Sequence, residues 1–191
     1  MKVGVLALQG AFREHRLTLE RCGAEAIEVR KPEDIADIDG LVIPGGESTT
    51  IGKLLVEWGL MEPIKERAAA GMTIYGTCAG MILLAKDIIG SDQPRLGLMD
   101  ISVRRNAFGR QRESFEADLY VGDFGAEPVR AVFIRAPYIE RVGPGVRVLA
   151  AVGDHIVIAR QGQFLATAFH PELTRDDRIH QYFIAMIRGQ A

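Results

Sequence analysis

The sequence predicts an α/β fold: a mostly parallel sheet flanked by helices, with an antiparallel, strand-rich C-terminal half. Three observations carry this expectation. Up to Gly90, short continuous apolar runs alternate with amphipathic stretches, the mark of parallel strands covered on both faces. Beyond Gly90 the apolar runs follow one another over short links. Two Gly-rich turns, "PGGEST" and "GTCAG", fall where strands give way to helices.

The apolar run at residues 3–8 is the first strand. Residues 11–22 form an amphipathic helix, which Gly23 is placed to end. Residues 26–29 and 41–43 are the second and third strands. Helices follow at 49–58 and 63–70; Pro63 sits in a first turn, where its missing N–H is not needed. Residues 73–75 are the fourth strand and 78–88 the next helix. Further strands are expected at 101–104, 115–121, 129–135, 148–152, 156–161 and 164–168. The Gly153-Asp154 turn suits a hairpin between two of them. A final helix spans about 175–188. With no repeat, linker or low-complexity segment, residues 1–191 are expected to be one domain.

The chain is long enough to bury a full core, and its 48% hydrophobic and 25% charged residues suit a soluble globular protein. The net charge is −2 and the Lys and Arg residues are scattered, which argues against a nucleic-acid partner. No run approaches the ~18 apolar residues of a membrane span, so no membrane partner is expected. A Gln-Gly break and a charged stretch follow residues 3–8, which reads as a buried strand and not a signal peptide. The 2 cysteines give no disulfide framework, and a cytoplasmic location is expected. No Cys/His cluster has metal spacing and no GxGxxG follows a strand; neither metal nor dinucleotide is expected.

In open α/β sheets, ligands sit outside the carboxyl ends of the strands, so both Gly-rich turns are candidate site segments. Gly76-Thr77-Cys78-Ala79-Gly80 has the form G-x-C-x-G, the thiol counterpart of the G-x-S-x-G elbow. The glycines permit a sharp turn and close packing. The helix that follows favours negative charge at Cys78, and the Ala79 amide is placed to donate to an oxyanion. A small buried cysteine in a turn is the plainer alternative. Cys22 shares a helical face with His15 and Leu19 and reads as core packing.

A thiol nucleophile needs a base and a group to orient it. Of the 4 histidines, His15 and His180 lie on helices and His155 in a hairpin, each open to a structural or surface reading. His170 ends the strand "FLATAFH", and Pro171 biases it towards an extended conformation. In extended chain Glu172 would point the same way, roughly 7 Å further on, and could reach the imidazole. "IPGGEST" offers successive amides before a helix. It is open to three readings: a phosphate cradle, a second oxyanion donor beside Ala79, or a helix start capped by Ser48.

Cys78, His170 and Glu172 in these settings resemble the triad of the class I glutamine amidotransferases. "LALQGAFREH", "PGGESTT", "GTCAG", "RNAFGRQRESFEADL", "VFIRAP" and "FHPELT" are together similar to the glutaminase subunits of pyridoxal 5′-phosphate synthases, over nearly the whole chain. The resemblance implies a flavodoxin-like scaffold and hydrolysis of L-glutamine to glutamate and ammonia through a γ-glutamyl thioester on Cys78. It implies an oxyanion held by the Gly46 and Ala79 amides. Glutamine would be held by Gly46, Glu47, Ser48, Arg105, Ile134 and Arg135. An Arg suits the α-carboxylate, and an acid or carbonyls suit the α-ammonium.

The implied partner is a synthase subunit that uses the ammonia to build pyridoxal 5′-phosphate from ribose 5-phosphate and glyceraldehyde 3-phosphate. Pyridoxal phosphate is then the product of the complex, and no cofactor is expected on this chain. Gln9 belongs to the implied partner-facing segment and is expected to transmit docking to a peptide of "PGGES" that flips its amide towards the site. Arg104 stands where the family usually has an acid; alternating with Arg105, it is expected outside the pocket. Two other readings are a cysteine peptidase or related thiol hydrolase, and a non-catalytic binding module. Glutamine-dependent ammonia release separates the first, and intact Cys78, His170 and Glu172 argue against the second.

Overall fold

The computed structural model describes residues 1–106 and 114–191; residues 107–113, within the "RNAFGRQRESF" stretch, lie outside the described residues. The first half comprises β1 (Lys2–Leu6), α1 (Phe12–Arg21), β2 (Glu25–Val29), β3 (Gly40–Ile43), α2 (Ser48–Glu57), α3 (Met61–Ala69), β4 (Thr73–Thr77), α4 (Ala79–Leu84) and β5 (Ala85–Ile88). The second comprises β6 (Met99–Arg104), β7 (Ser114–Leu119), β8 (Val129–Ile134), β9 (Tyr138–Val142), β10 (Arg147–Val152), β11 (His155–Gln161), β12 (Phe164–Thr167) and α5 (Arg178–Ile187).

One sheet runs in the order β2-β1-β3-β4-β12-β11-β9-β6-β5, with β10 beside β11. The β2-β1-β3-β4-β12 part is parallel. Both faces of that part are covered, and β3 and β4 are buried at every position, which is why they read as unbroken apolar runs. β6 and β8 bury alternate residues instead, as strands with one wet face do. β7 and β8 form a separate antiparallel pair.

The helices attach through stripes at helical spacing. In α2 these are Ser48, Ile51, Gly52 and Leu55. Burying a side chain such as Ile51 or Leu55 contributes roughly 1.5–3 kcal/mol. α5 is held through Ile179, Phe183 and Met186.

Three elements differ from the sequence reading. The helix expected over 78–88 ends at Leu84: Ala85 turns extended (ψ 136), and β5 pairs parallel with β6. Strand β9 was not expected; Pro137 just before it, and Glu140 and Arg141 within it, disguise a strand that buries only Ile139. The last helix begins at Arg178, after a 3-10 turn at Pro171–Leu173, because Asp176 Oδ1 accepts from the Arg178 amide (3.1 Å) and fixes the helix start. No helix among the described residues is long and apolar enough to cross a membrane.

The feature that positions the site is β12. This late strand inserts beside β4, in register Thr167 with Thr77. On the other side of β4, Ile43 of β3 lies opposite Gly76. Cys78, the turn before His170 and the "PGGES" turn therefore leave the sheet side by side.

Candidate active site

Backbone hydrogen bonds fix the two central segments. The Cys78 amide donates to the Thr167 carbonyl (2.8 Å), and the His170 amide to the Val132 carbonyl (2.8 Å). Cys78 adopts φ 49, ψ −102, a conformation costly for any residue with a Cβ. The elbow holds it there through close packing. A Cβ at Gly80 would run into the Ile43 carbonyl, and one at Gly76 would lie 2.5 Å from the Gly80 backbone. Among the described residues Cys78, Asn106 and Arg135 are the non-glycine residues with positive φ, and all three line one pocket. Strain of this kind clusters at functional sites, which makes this pocket the candidate site. The shortness of α4 leaves its first-turn amides in place, where the influence of a helix end resides.

His170 shares the pocket with Cys78, and its Nδ1 lies 2.7 Å from Glu172 Oε1. Glu172 reaches it through the 3-10 turn, not along the extended strand expected from the sequence; Pro171 occupies the first position of that turn. The Glu172 side chain is fully buried and that of His170 is 11% exposed. Burial opposes a charge on His170. Its contacts with Cys78 and Glu172 outweigh burial and raise its pKa to about 10. Burial likewise opposes the Glu172 carboxylate, but the facing His15 and the hydrogen bond from His170 hold its pKa below the usual range. His15, open in the sequence to a structural or a surface role, places its Nε2 3.3 Å from Glu172 Oε2.

The pocket holds about 280 Å³, small even for a small-molecule site. Gly46, Glu47, Ser48, Ala79, Arg105, Ile134, Arg135 and Gln9 all line it with Cys78 and His170. Glu47 caps α2, its Oε1 accepting from Thr49 Oγ1 (2.8 Å) and the Thr49 amide (3.4 Å); the cap is therefore not Ser48. These bonds first, then the charges of Arg105 and Arg135, hold the Glu47 carboxyl below its ordinary range. One carboxylate and two guanidinium groups thus converge on the space in front of Cys78, a pattern complementary to a zwitterion.

Gln93 was missed from the sequence. Its Oε1 accepts from Ser48 Oγ (3.3 Å) and Arg105 Nη1 (2.8 Å), tying two pocket residues together. Its loop reaches α2 because a Cβ at Gly52 would meet the Pro94 carbonyl. The readable signal was Gly52, a glycine inside a helix. Arg104 lies outside the pocket, paired with Glu140 (2.6 Å).

The residues after β1 hold the "PGGES" turn. The Ala11 amide donates to the Gly45 carbonyl (3.1 Å), and the Glu47 amide to Gln9 Oε1 (2.7 Å). The Gly45 carbonyl is thus engaged by Ala11. Cys22 is half-buried, with its pKa pushed up to about 11 by burial, and His155 stacks on Tyr138 at 4.0 Å. Neither lines the pocket.

A strained thiol elbow on a parallel sheet, a His–Glu pair beside it and a small zwitterion-complementary pocket form an arrangement able to perform thiol-dependent hydrolysis of a small amide. The comparisons narrow this class. Residues 5–189 match the model of the SNO glutamine amidotransferase family, and the chain belongs to that family. A curated relative from Pelotomaculum thermopropionicum, "Pyridoxal 5'-phosphate synthase subunit PdxT", is 68% identical over 96% of this chain and 94% of its own. A relative of the same name from Carboxydothermus hydrogenoformans is 63% identical over 98% of each chain. A solved structure described as a glutamine amidotransferase superposes with a TM-score of 0.93 at 54% identity, covering 97% of this chain and 98% of that one.

Proposed function

We propose that this chain is the glutaminase subunit of a pyridoxal 5′-phosphate synthase, hydrolysing L-glutamine and passing ammonia to the synthase subunit. Membership of a glutamine amidotransferase family and relatives named as pyridoxal 5′-phosphate synthase subunits support the assignment. The observation that carries the chemistry is the β4–β12 register, which seats a strained Cys78 beside a His170 hydrogen-bonded to Glu172.

Arg105 and Arg135 receive the glutamine α-carboxylate. Glu47 receives the α-ammonium, with Ser48 and the backbone at Gly46, Ile134 and Arg135 completing the cradle. The Cys78 proton passes to His170, and the sulfur attacks the side-chain amide carbon. The Ala79 and Gly46 amides stabilise the resulting oxyanion. Protonated His170 gives its proton to the departing nitrogen, which leaves as ammonia. Water, deprotonated by His170, then cleaves the γ-glutamyl thioester, releasing glutamate and restoring the thiol. Ammonia joins ribose 5-phosphate and glyceraldehyde 3-phosphate at the synthase subunit.

The test is release of glutamate and ammonia from glutamine by this chain with its synthase subunit. Turnover of peptides instead of glutamine would overturn the reading.

A further inference from the structure

The Glu172 carboxylate has two buried neighbours and the proposed reaction uses only one. Oε1 faces His170; Oε2 has no hydrogen-bond partner among the described residues, and His15 Nε2 lies 3.3 Å from it. His15, on α1, is fully buried, and its Nε2 also lies 3.1 Å from Thr77 Oγ1, next to the nucleophile. Its Nδ1 lies 2.9 Å from Nε2 of His180, which is fully buried on α5.

The hydrogen-bonding pattern selects one tautomer. Among the described residues His180 Nδ1 has no hydrogen-bond partner. A buried bare lone pair is less costly than a buried N–H with no acceptor, so the His180 proton sits on Nε2 and is donated to His15 Nδ1. The His15 proton then sits on Nε2, donated to Thr77 Oγ1 (3.1 Å), with Glu172 Oε2 3.3 Å from the same nitrogen but outside hydrogen-bond geometry. Burial lowers the pKa of both imidazoles and keeps them neutral, overriding the pull of Glu172 on His15. His15 therefore presents an N–H dipole to Glu172 and not a full charge.

We propose that His15 is a positioning residue for the triad: its Nε2–H, oriented by His180, holds Glu172 as a carboxylate turned towards His170 and ties it to Thr77 beside the nucleophile. This rests on the triad reading above. The ionisable groups facing His15 are Glu172 and His170 from the segment after β12, His180 from α5, and Glu14 on its own helix; Tyr75 and Thr77 of β4 complete its surroundings.

Three variants test this in the complex with the synthase subunit, with glutamine as the probe: His15→Gln, whose amide reaches the Nε2 position; His15→Asn, whose amide reaches only the Nδ1 position; and His15→Leu. We expect Leu and Asn to lower kcat about tenfold or more, the usual scale for losing an orienting partner, while KM for glutamine stays within about twofold. Without the N–H, Glu172 protonates more easily and supports the His170 cation less. The first effect moves the acid limb of the kcat/KM profile to higher pH, and the second moves the loss of the His170 proton, on the basic limb, to lower pH. Gln should recover most of the rate and return both limbs.

If Leu does not fold, the Gln–Asn contrast decides alone. Wild-type kcat and pH profile in folded Asn or Leu, or losses in Gln equal to those in Asn, would overturn the proposal. A Cys78→Ala complex separates this from the underlying reading. Hydrolysis surviving that change overturns the triad itself, and the proposal with it. Cys78-dependent hydrolysis with wild-type-like His15 variants overturns the His15 role alone.

Discussion

At His170, burial and hydrogen bonding act in opposite directions, and the contacts with Cys78 and Glu172 win. Because the folded chain holds the imidazole proton more tightly than the unfolded chain, this contact stabilises fully below about pH 6.5. The contribution is lost as the pH rises through about 10. Replacing Cys78 by Ala removes one of the two supports. The His170 imidazole should then titrate at lower pH than in the wild type, as read from its ring NMR signals; an unchanged midpoint would show that Cys78 does not act on it. Glu172→Gln should lower kcat on the order of 100-fold or more with little change in KM, since in the proposed reaction Glu172 orients the base and does not touch glutamine. Arg105→Ala should do the reverse, raising KM about tenfold or more through the lost charged hydrogen bond. Steady-state kinetics of the two variants side by side check both expectations. The candidate residues Cys78, His170 and Glu172 were legible from "GTCAG" and "HPE", and the fold brings them together. His15 and Gln93 were not, because their partners lie 157 and 45 residues away or nearby only through the fold: Glu172 for His15 (172 − 15), Ser48 for Gln93 (93 − 48). The hint for His15 was its place on the buried face of α1 with Thr18 and Leu19.

At the scale of elements, the elbow depends on backbone approaches that tolerate no side chain. Gly80→Ala would place a Cβ against the Ile43 carbonyl, which belongs to a fully buried strand and cannot give way cheaply. The expected cost is about 1–3 kcal/mol, a drop of several degrees in melting temperature, with loss of activity. A variant as stable and active as the wild type would show that the elbow is not tightly packed. The early strands and α1 to α3 were legible because their runs are either wholly apolar or amphipathic at helical spacing. The end of α4 was not: the apolar residues of "AGMILLAKDI" suit a helix or a strand, and pairing with the distant β6 decides for β5. The placement of β12 beside β4 is a long-range pairing of the same kind, invisible to local pattern.

Across the whole molecule, the turn after β1 links the sheet edge to the reacting groups. Gln9 and Ala11 hold the Glu47 amide and the Gly45 carbonyl, and so set the peptide that carries the Gly46 amide. The turn is not itself secured by burial: Gly10 is exposed and Gln9 only partly covered. Docking of the synthase subunit on this edge is therefore expected to steady the oxyanion donors. One lost donor costs on the order of 100-fold in rate, so the isolated chain should be a slow glutaminase and the complex a fast one. Gln9→Ala should blunt the activation. Comparing ammonia release by the isolated chain, the complex and the Gln9→Ala complex checks this. Full activity without the partner would remove the need for activation, and full activation of the variant would exclude Gln9 as its transmitter.

In the proposed reaction the Cys78 sulfur carries the glutamyl group. The most direct test of this role is acid quenching of the complex during turnover of glutamine, followed by mass spectrometry of the peptides containing Cys78 and Cys22. A γ-glutamyl adduct is expected on Cys78, none on Cys22, and neither adduct nor glutamate release in Cys78→Ala. Sustained glutamine hydrolysis by Cys78→Ala, or an adduct on any other residue, would contradict it.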